Sequence, residues 1–220
     1  MLDVAVSYAA KDTQYFANAR REILPLVPGR VARVLELGCG RGDTLLMLKA
    51  DRGYDWAAGI ELFPDAANIA RGCLDAVYEG DIEAMDLPVP AASIDLVLCL
   101  DVLEHLRDPW DVVRRLASVM RPGAALVASI PNVRHYTVLW PLLRHGRWEY
   151  TDSGLLDRTH LRFFTRASAI ELLEDAGLRV EQIEITGLPI GSRRRLFDRV
   201  TFGVFRPLLT FQYLLRAVKD

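Results

Sequence analysis

Cysteine is scarce in this chain, with 3 in 220 residues. Cys39, Cys73 and Cys99 are an odd number and none stands in a C-x-x-C pair, which speaks against a disulfide framework and for a reduced, cytoplasmic setting. No apolar run approaches the ~20 residues that span a bilayer, and Met1-Leu2-Asp3-Val4 lacks the basic-then-apolar order of a secretion signal. The reading is of a protein neither exported by that route nor integral to a membrane. Charge of one sign is also missing: 27 basic residues meet 29 acidic ones, a net charge of −2. A broad basic stripe for phosphates is therefore absent and no nucleic-acid partner is expected. Internal repeats and low-complexity segments are absent too.

The hydrophobic fraction of 51% and charged fraction of 25% are those of a globular chain. At this length one domain buries on the order of 70% of its unfolded surface. The densest information lies in Val34-Leu35-Glu36-Leu37-Gly38-Cys39-Gly40-Arg41-Gly42-Asp43. An apolar strand ends in three glycines spaced two apart and a helix pattern follows. Glycine tolerates positive φ and leaves no Cβ between backbone and ligand, so the turn can lie against a bound small molecule. The spacing is G-x-G-x-G, with Asp43 where the dinucleotide pattern G-x-G-x-x-G wants its third glycine. An acid two residues before the first glycine, Glu36, suits a zwitterionic amino-acid tail better than a pyrophosphate.

Ala57-Ala58-Gly59-Ile60-Glu61 reads as a second strand closing in a carboxylate about twenty residues past the glycines, where a doubly wound sheet places the acid that accepts ribose hydroxyls. Val77 to Ile82 ends a third strand in Gly80-Asp81. Ser93 to Leu100 is a buried-strand run that leads into Asp101-Val102-Leu103-Glu104-His105. Arg121-Pro122-Gly123 is read as a turn, followed by a strand from Ala124 to Ile130. Strands alternate with helical segments over Thr44–Ala50, Pro64–Cys73 and Pro109–Met120, so a parallel sheet with helices on both faces is predicted.

These residues together resemble the class I S-adenosylmethionine-dependent methyltransferases over roughly Val31 to Ile185. The resemblance implies a Rossmann-like, doubly wound α/β fold with seven strands, mostly parallel, the last antiparallel. It implies S-adenosylmethionine as cofactor, leaving S-adenosylhomocysteine, held by Glu36, Gly38, Cys39, Gly40, Gly42, Glu61, Leu62, Asp81, Ile82, Leu100 and Asp101. Within that set Asp81 and the Ile82 amide would meet the adenine. Ser129-Ile130-Pro131-Asn132, Gly146 to Tyr150 and Leu156 to Thr165 are similar to a small bacterial subgroup associated with glycosyltransferases of polysaccharide assembly. The implied reaction is O-methylation of a sugar or other small metabolite. An NAD(P)-dependent oxidoreductase is a weaker alternative, since the third glycine is misplaced and no tyrosine has lysine four residues later. A non-catalytic cofactor-binding partner protein is the other.

An oxygen acceptor calls for a base, and imidazole titrates nearest neutrality. His105 and His160 are the predicted catalytic residues, with His135 and His145 read as loop surface. On a helix, Asp101, Glu104 and His105 stand at i, i+3 and i+4 on one face. The segment resembles the acidic-x-x-Glu-His run of quinone-biosynthesis O-methyltransferases and small-RNA 2′-O-methyltransferases, which implies a divalent metal held by Asp101, Glu104, His105 and His160. The open alternative is a metal-free hydrogen-bonded pair with Asp101 beside the methionine amine.

Four segments are expected within one domain: an N-terminal amphipathic cap helix in 1–30, running Asp12 to Leu26; a cofactor core over 31–131; an irregular lid or acceptor insertion over 132–165; and a C-terminal helix, hairpin and basic-aromatic insertion over 166–220. From Ser192 onward seven basic residues face only Asp198 and Asp220. Arg193 to Arg206 interleaves arginines with aromatics, which reads either as a lid over the acceptor pocket or as a peripheral membrane contact. The acceptor itself is expected to be a small molecule or saccharide.

Overall fold

The computed structural model describes residues 19–188 and 191–220. Seven strands form one sheet: β1 (Arg33–Leu37), β2 (Trp56–Glu61), β3 (Ala76–Glu79), β4 (Ile94–Leu100), β5 (Met120–Pro131), β6 (Leu178–Ile185) and β7 (Gln212–Lys219). Their order is β3-β2-β1-β4-β5-β7-β6. The first five are parallel, and β7 runs antiparallel between β5 and β6. From β1 the chain travels outward through β2 and β3, then returns to the other side of β1 as β4 (Val34 opposite Leu96). That reversal opens a crevice at the carboxyl ends of β1 and β4, the usual ligand seat of a doubly wound sheet.

The period of two along each strand divides the core. Leu35, Leu37, Val97 and Cys99 face a layer built with Leu116 of α3 (Pro109–Val119) and Leu172 of α5 (Arg166–Glu174). Val34, Leu96 and Leu98 face the opposite layer with Leu45 and Leu48 of α1 (Asp43–Asp51). A sheet covered on both faces needs apolar residues at both parities, which is why β1 and β4 read as continuous apolar runs. Helix α2 (Pro64–Ala70) is shorter than the expected 64–73 and ends in turns. Helix starts follow their local chemistry: Asp108 accepts the Asp111 amide ahead of Pro109, and Thr165 with Ser168 forms a reciprocal capping box.

Three expectations change. Arg121-Pro122-Gly123 lies inside β5, whose pairing with β4 shifts register between Ile94 and Leu96 and takes up the extra residues as a bulge. The segment over 132–165 is not irregular throughout, since Tyr136–His145 forms helix α4, capped by His135 and stopped by Gly146 in the left-handed region. The helix expected from Asp12 to Leu26 lies outside the described residues as far as 18, and its remainder is a 3-10 turn over Arg21–Ile23. Helices α6 (Arg193–Val200) and α7 (Arg206–Leu209) precede β7.

Candidate active site

The three glycines of the first turn all have positive φ, at 62°, 54° and 87° for Gly38, Gly40 and Gly42. A side chain at Gly38 would strain the turn and displace Val102, since a Cβ there would sit 2.7 Å from Val102 Cγ2. The turn is stitched to the end of β2: the Gly38 amide donates to the Ile60 carbonyl at 2.8 Å, and the Gly40 amide to Glu61 Oε2 at 2.8 Å. Glu61 Oε1 accepts the Phe63 amide at 3.0 Å. Gly59 completes the seat, since a Cβ on it would lie 2.2 Å from Cys39 Sγ.

Under this turn lies Glu36, buried, with Oε2 lacking a hydrogen-bond partner. Burial first, and the nearby Glu61 second, push its carboxyl well above the usual range. Burial also raises Glu61, against the lowering effect of the Phe63, Gly40 and Leu62 amides. An orphaned buried carboxylate oxygen beneath a Cβ-free backbone fits the ammonium of an amino-acid tail, and Glu61 keeps lone pairs for hydroxyl donors. The residues therefore fit S-adenosylmethionine, whose sulfonium supplies a transferable methyl group when bound.

The remaining expected cofactor residues sit along the same strand ends. Ile82 and Leu100 are buried, while Leu62 is exposed. Asp81, in the turn after β3, accepts the Glu83 amide on Oδ1 at 2.9 Å, with Arg107 3.5 Å from Oδ2. Glu36, Gly38 to Gly42, Glu61, Asp81, Ile82 and Leu100 thus belong to the carboxyl ends of four successive strands in the sheet.

Asp101 departs from expectation. Its φ of 57° turns the chain sharply after β4, and residues Leu103–His105 form one 3-10 turn, not an α-helix. The i, i+3, i+4 face does not form. Asp101 is bound by the Arg20 guanidinium, the Ser129 hydroxyl and Gln212 Nε2, the last at 2.7 Å. It lies outside the candidate metal cluster, which among the described residues is Glu104, His105 and His160, with one ligand atom from each within 4.8 Å of the others. Arg20 and Gln212 were missed by sequence reasoning. Only the fold brings Arg20, before β1, and Gln212, at the start of β7, to the end of β4.

His105 and His160 meet edge to face, with ring centroids 4.7 Å apart. His105 Nδ1 faces the Thr159 carbonyl at 3.1 Å and His160 Nδ1 the Leu155 carbonyl at 3.2 Å. A carbonyl only accepts, so Nδ1 carries a hydrogen in each ring. The Leu161 and Arg162 amides donate to the Glu104 carbonyl at 2.8 and 2.9 Å, docking the second histidine's segment onto the first. Glu104 is 1% exposed and neither carboxyl oxygen has a hydrogen-bond partner. Burial, then Asp101, raises its carboxyl well above the usual range. One carboxylate and two imidazoles are a donor set that fits Zn²⁺, Mn²⁺ or Fe²⁺ better than Mg²⁺. Beside His160 stands Phe163, with Trp148 and Tyr150 against it at 5.1 and 6.3 Å.

His135, read from sequence as loop surface, is buried because it caps α4 and packs on Phe211 at 5.5 Å. Burial, then Arg194, lowers its pKa. His145 closes α4 and is exposed, as expected.

A family model described as a methyltransferase domain matches residues 8–183. A ubiquinone biosynthesis O-methyltransferase of Xanthomonas euvesicatoria pv. vesicatoria is 31% identical over 86% of this chain and 76% of its own length. The 27-O-demethylrifamycin SV methyltransferase of Amycolatopsis mediterranei is 34% identical over 47% of this chain, a match spanning 39% of that protein. Among solved structures, a SAM-dependent methyltransferase from Archaeoglobus fulgidus superposes with a TM-score of 0.66 at 23% identity, covering 96% of both chains. A Haloferax volcanii methyltransferase solved with the Trm112 activator has a TM-score of 0.60 at 19% identity, covering 94% of this chain and 88% of that one. The glycine turn, the carboxylates on successive strand ends and these similarities converge: the chain belongs to the methyltransferase-domain family and is a class I S-adenosylmethionine-dependent methyltransferase.

Proposed function

We propose that the chain methylates a hydroxyl oxygen of a sugar or other small metabolite, with the Glu104, His105 and His160 cluster on the acceptor side. The observation that carries this reading is the pair of imidazoles, edge to face at 4.7 Å, whose Nδ1 atoms face the Thr159 and Leu155 carbonyls beside the buried carboxyl of Glu104. A neutral hydroxyl is a weak nucleophile, and removal of its proton by an oriented imidazole contributes typically ~10²–10⁴-fold. Glu36 and Glu61 would hold the cofactor's ammonium and ribose, Asp81 and Ile82 its adenine, with Leu62, Leu100 and Asp101 flanking. Segment 132–165 would shape the acceptor site. Its aromatics Trp148, Tyr150 and Phe163 offer flat apolar faces for a sugar's C–H face or an aromatic ring. The ubiquinone O-methyltransferase relatives add weight to oxygen as the acceptor atom.

A metal-bound form of the same cluster is the second reading, favoured by the two unpartnered oxygens of buried Glu104. Glu104, His105 and His160 would hold the ion, which would lower the pKa of the acceptor hydroxyl.

Incubation with methyl-labelled S-adenosylmethionine and panels of phenols, free sugars and nucleotide-sugars tests the reading. Labelled methyl ether formation, lost in His105→Ala and His160→Ala, is expected; label on nitrogen or carbon would overturn it.

A further inference from the structure

Helix α6 wears its apolar side outward. Arg194 and Asp198, four residues apart, face the body: Arg194 Nη2 donates to the Tyr136 hydroxyl at 2.9 Å, and buried Asp198 pairs with Arg206 at 3.0 Å. The opposite side carries Leu196 and Val200, exposed by 63% and 66%, with Phe197, 48% exposed, at the flank and packed on Phe205 at 5.5 Å. The turn that follows projects Phe202, 95% exposed and held at a φ of 51°, and Val204, 72% exposed. A bulky residue in the left-handed region is strained, and here the strain puts an aromatic ring at the tip of a turn.

A second exposed stripe lies on a neighbouring helix. On α4, Tyr136, Trp140 and Leu143 stand at i, i+4 and i+7, with Trp140 66% and Leu143 79% exposed. The Arg194–Tyr136 contact makes α4 and α6 neighbours. Large apolar side chains exposed on two neighbouring helices mark an interaction site. Around it stand Arg193, Arg195 and Arg199, while the segment's one acid, Asp198, is turned inward and neutralised by Arg206. The face is thus apolar with a positive rim, on a chain whose net charge is −2.

We propose that the α4–α6 face docks on an anionic lipid bilayer, with Trp140, Leu196 and Phe202 entering the headgroup boundary and Arg193, Arg195 and Arg199 meeting lipid phosphates. Charge complementarity selects this occupant. A second copy of the chain on a two-fold axis would bring the same arginines against each other. The docking does not depend on which acceptor is methylated.

The test uses the full chain, sedimented with vesicles of phosphatidylcholine alone or mixed with phosphatidylglycerol, and with brominated acyl chains as a depth probe. Binding is expected only with phosphatidylglycerol and should weaken with salt. Arg193→Ser with Arg195→Ser should lower partitioning more than tenfold, at about fivefold per arginine. Leu196→Ser with Phe202→Ser should stop pelleting while S-adenosylhomocysteine affinity and Tm stay unchanged. Trp140→Phe should remove bromine quenching yet still pellet, which locates the contact without a large change of surface. Absence of binding to phosphatidylglycerol vesicles, or undiminished binding by the Leu196→Ser, Phe202→Ser variant, overturns the proposal. So does a dimer in sedimentation velocity that this variant dissociates, which would give the face to a second copy.

Discussion

The Gly40 amide donates to Glu61 Oε2 at 2.8 Å, so the carboxylate expected to meet the ribose also fixes the loop expected to meet the methionine end. The two expected halves of the cofactor site would share one side chain.

Glu61→Ala should therefore weaken S-adenosylhomocysteine binding twice over, through the lost acceptor and through a loosened glycine turn. A charged hydrogen bond is worth ~1.5–3 kcal/mol, so titration calorimetry should show at least about a tenfold loss. The same variant should melt at lower temperature without ligand. An unchanged Kd in the folded variant would remove Glu61 from the site.

Glu36 makes stability and binding depend on pH. Its carboxyl is raised from an ordinary value of 4.5. Below that value it is protonated folded and unfolded alike and contributes nothing. As pH rises above it, the unfolded chain releases the proton first, so the ligand-free protein should lose stability towards neutrality. Glu36→Gln should flatten this slope in thermal melts. Cofactor binding brings a cation to the carboxyl and should expel a proton, so binding enthalpy should vary with the buffer's ionisation enthalpy in the wild type and much less in Glu36→Gln. A buffer-independent wild type would show Glu36 already ionised.

Gly59→Ala introduces a Cβ 2.2 Å from Cys39 Sγ and 2.7 Å from Cys39 Cβ. Overpacking of this sort costs ~1–3 kcal/mol, and denaturant melts should show it. Adding Cys39→Ala relieves the sulfur contact only, so the double variant should recover part of the loss. Additive losses would break the link between the turn and β2.

His105→Ala and His160→Ala should each lower turnover by ~10²-fold or more with S-adenosylhomocysteine affinity nearly intact. Exhaustive chelation separates the two forms of the cluster: activity lost and restored by Zn²⁺ or Mn²⁺ supports the metal, whereas full activity leaves the imidazoles acting alone. Asp101→Asn should lower metal affinity far less than Glu104→Gln, since Asp101 stands outside the cluster and acts on Glu104 only through its charge.

Much of this was legible in the sequence where the signal is local. The run Ser93 to Leu100 was read as a buried strand and β4 occupies Ile94–Leu100, and the glycine turn was read as a strand end leading into a helix, as found. The Asp101 face was misread because the i, i+3, i+4 rule presumes an α-helix, and the chain instead leaves β4 through a left-handed residue into one 3-10 turn. His135 looked like surface because its sequence neighbours are polar and aromatic, yet a capping role buries it. The arginine-aromatic segment is periodic enough to predict a helix, but periodicity does not say which face turns inward.

The bond from Gln212 to Asp101 has a consequence for synthesis. Asp101 follows directly on β4, whereas Gln212 begins the last of the seven described strands. Strands β1 to β5 pair in parallel with one another and can assemble while the rest is being made, but β5 keeps an open edge until β7 inserts between it and β6. Pairings over such separations form slowly, and an unpaired edge in a nascent chain invites aggregation. The crevice beside Asp101 should thus reach its final shape only after β7 has emerged and paired, and a chain arrested before β7 should hold the glycine turn without the Asp101 anchor.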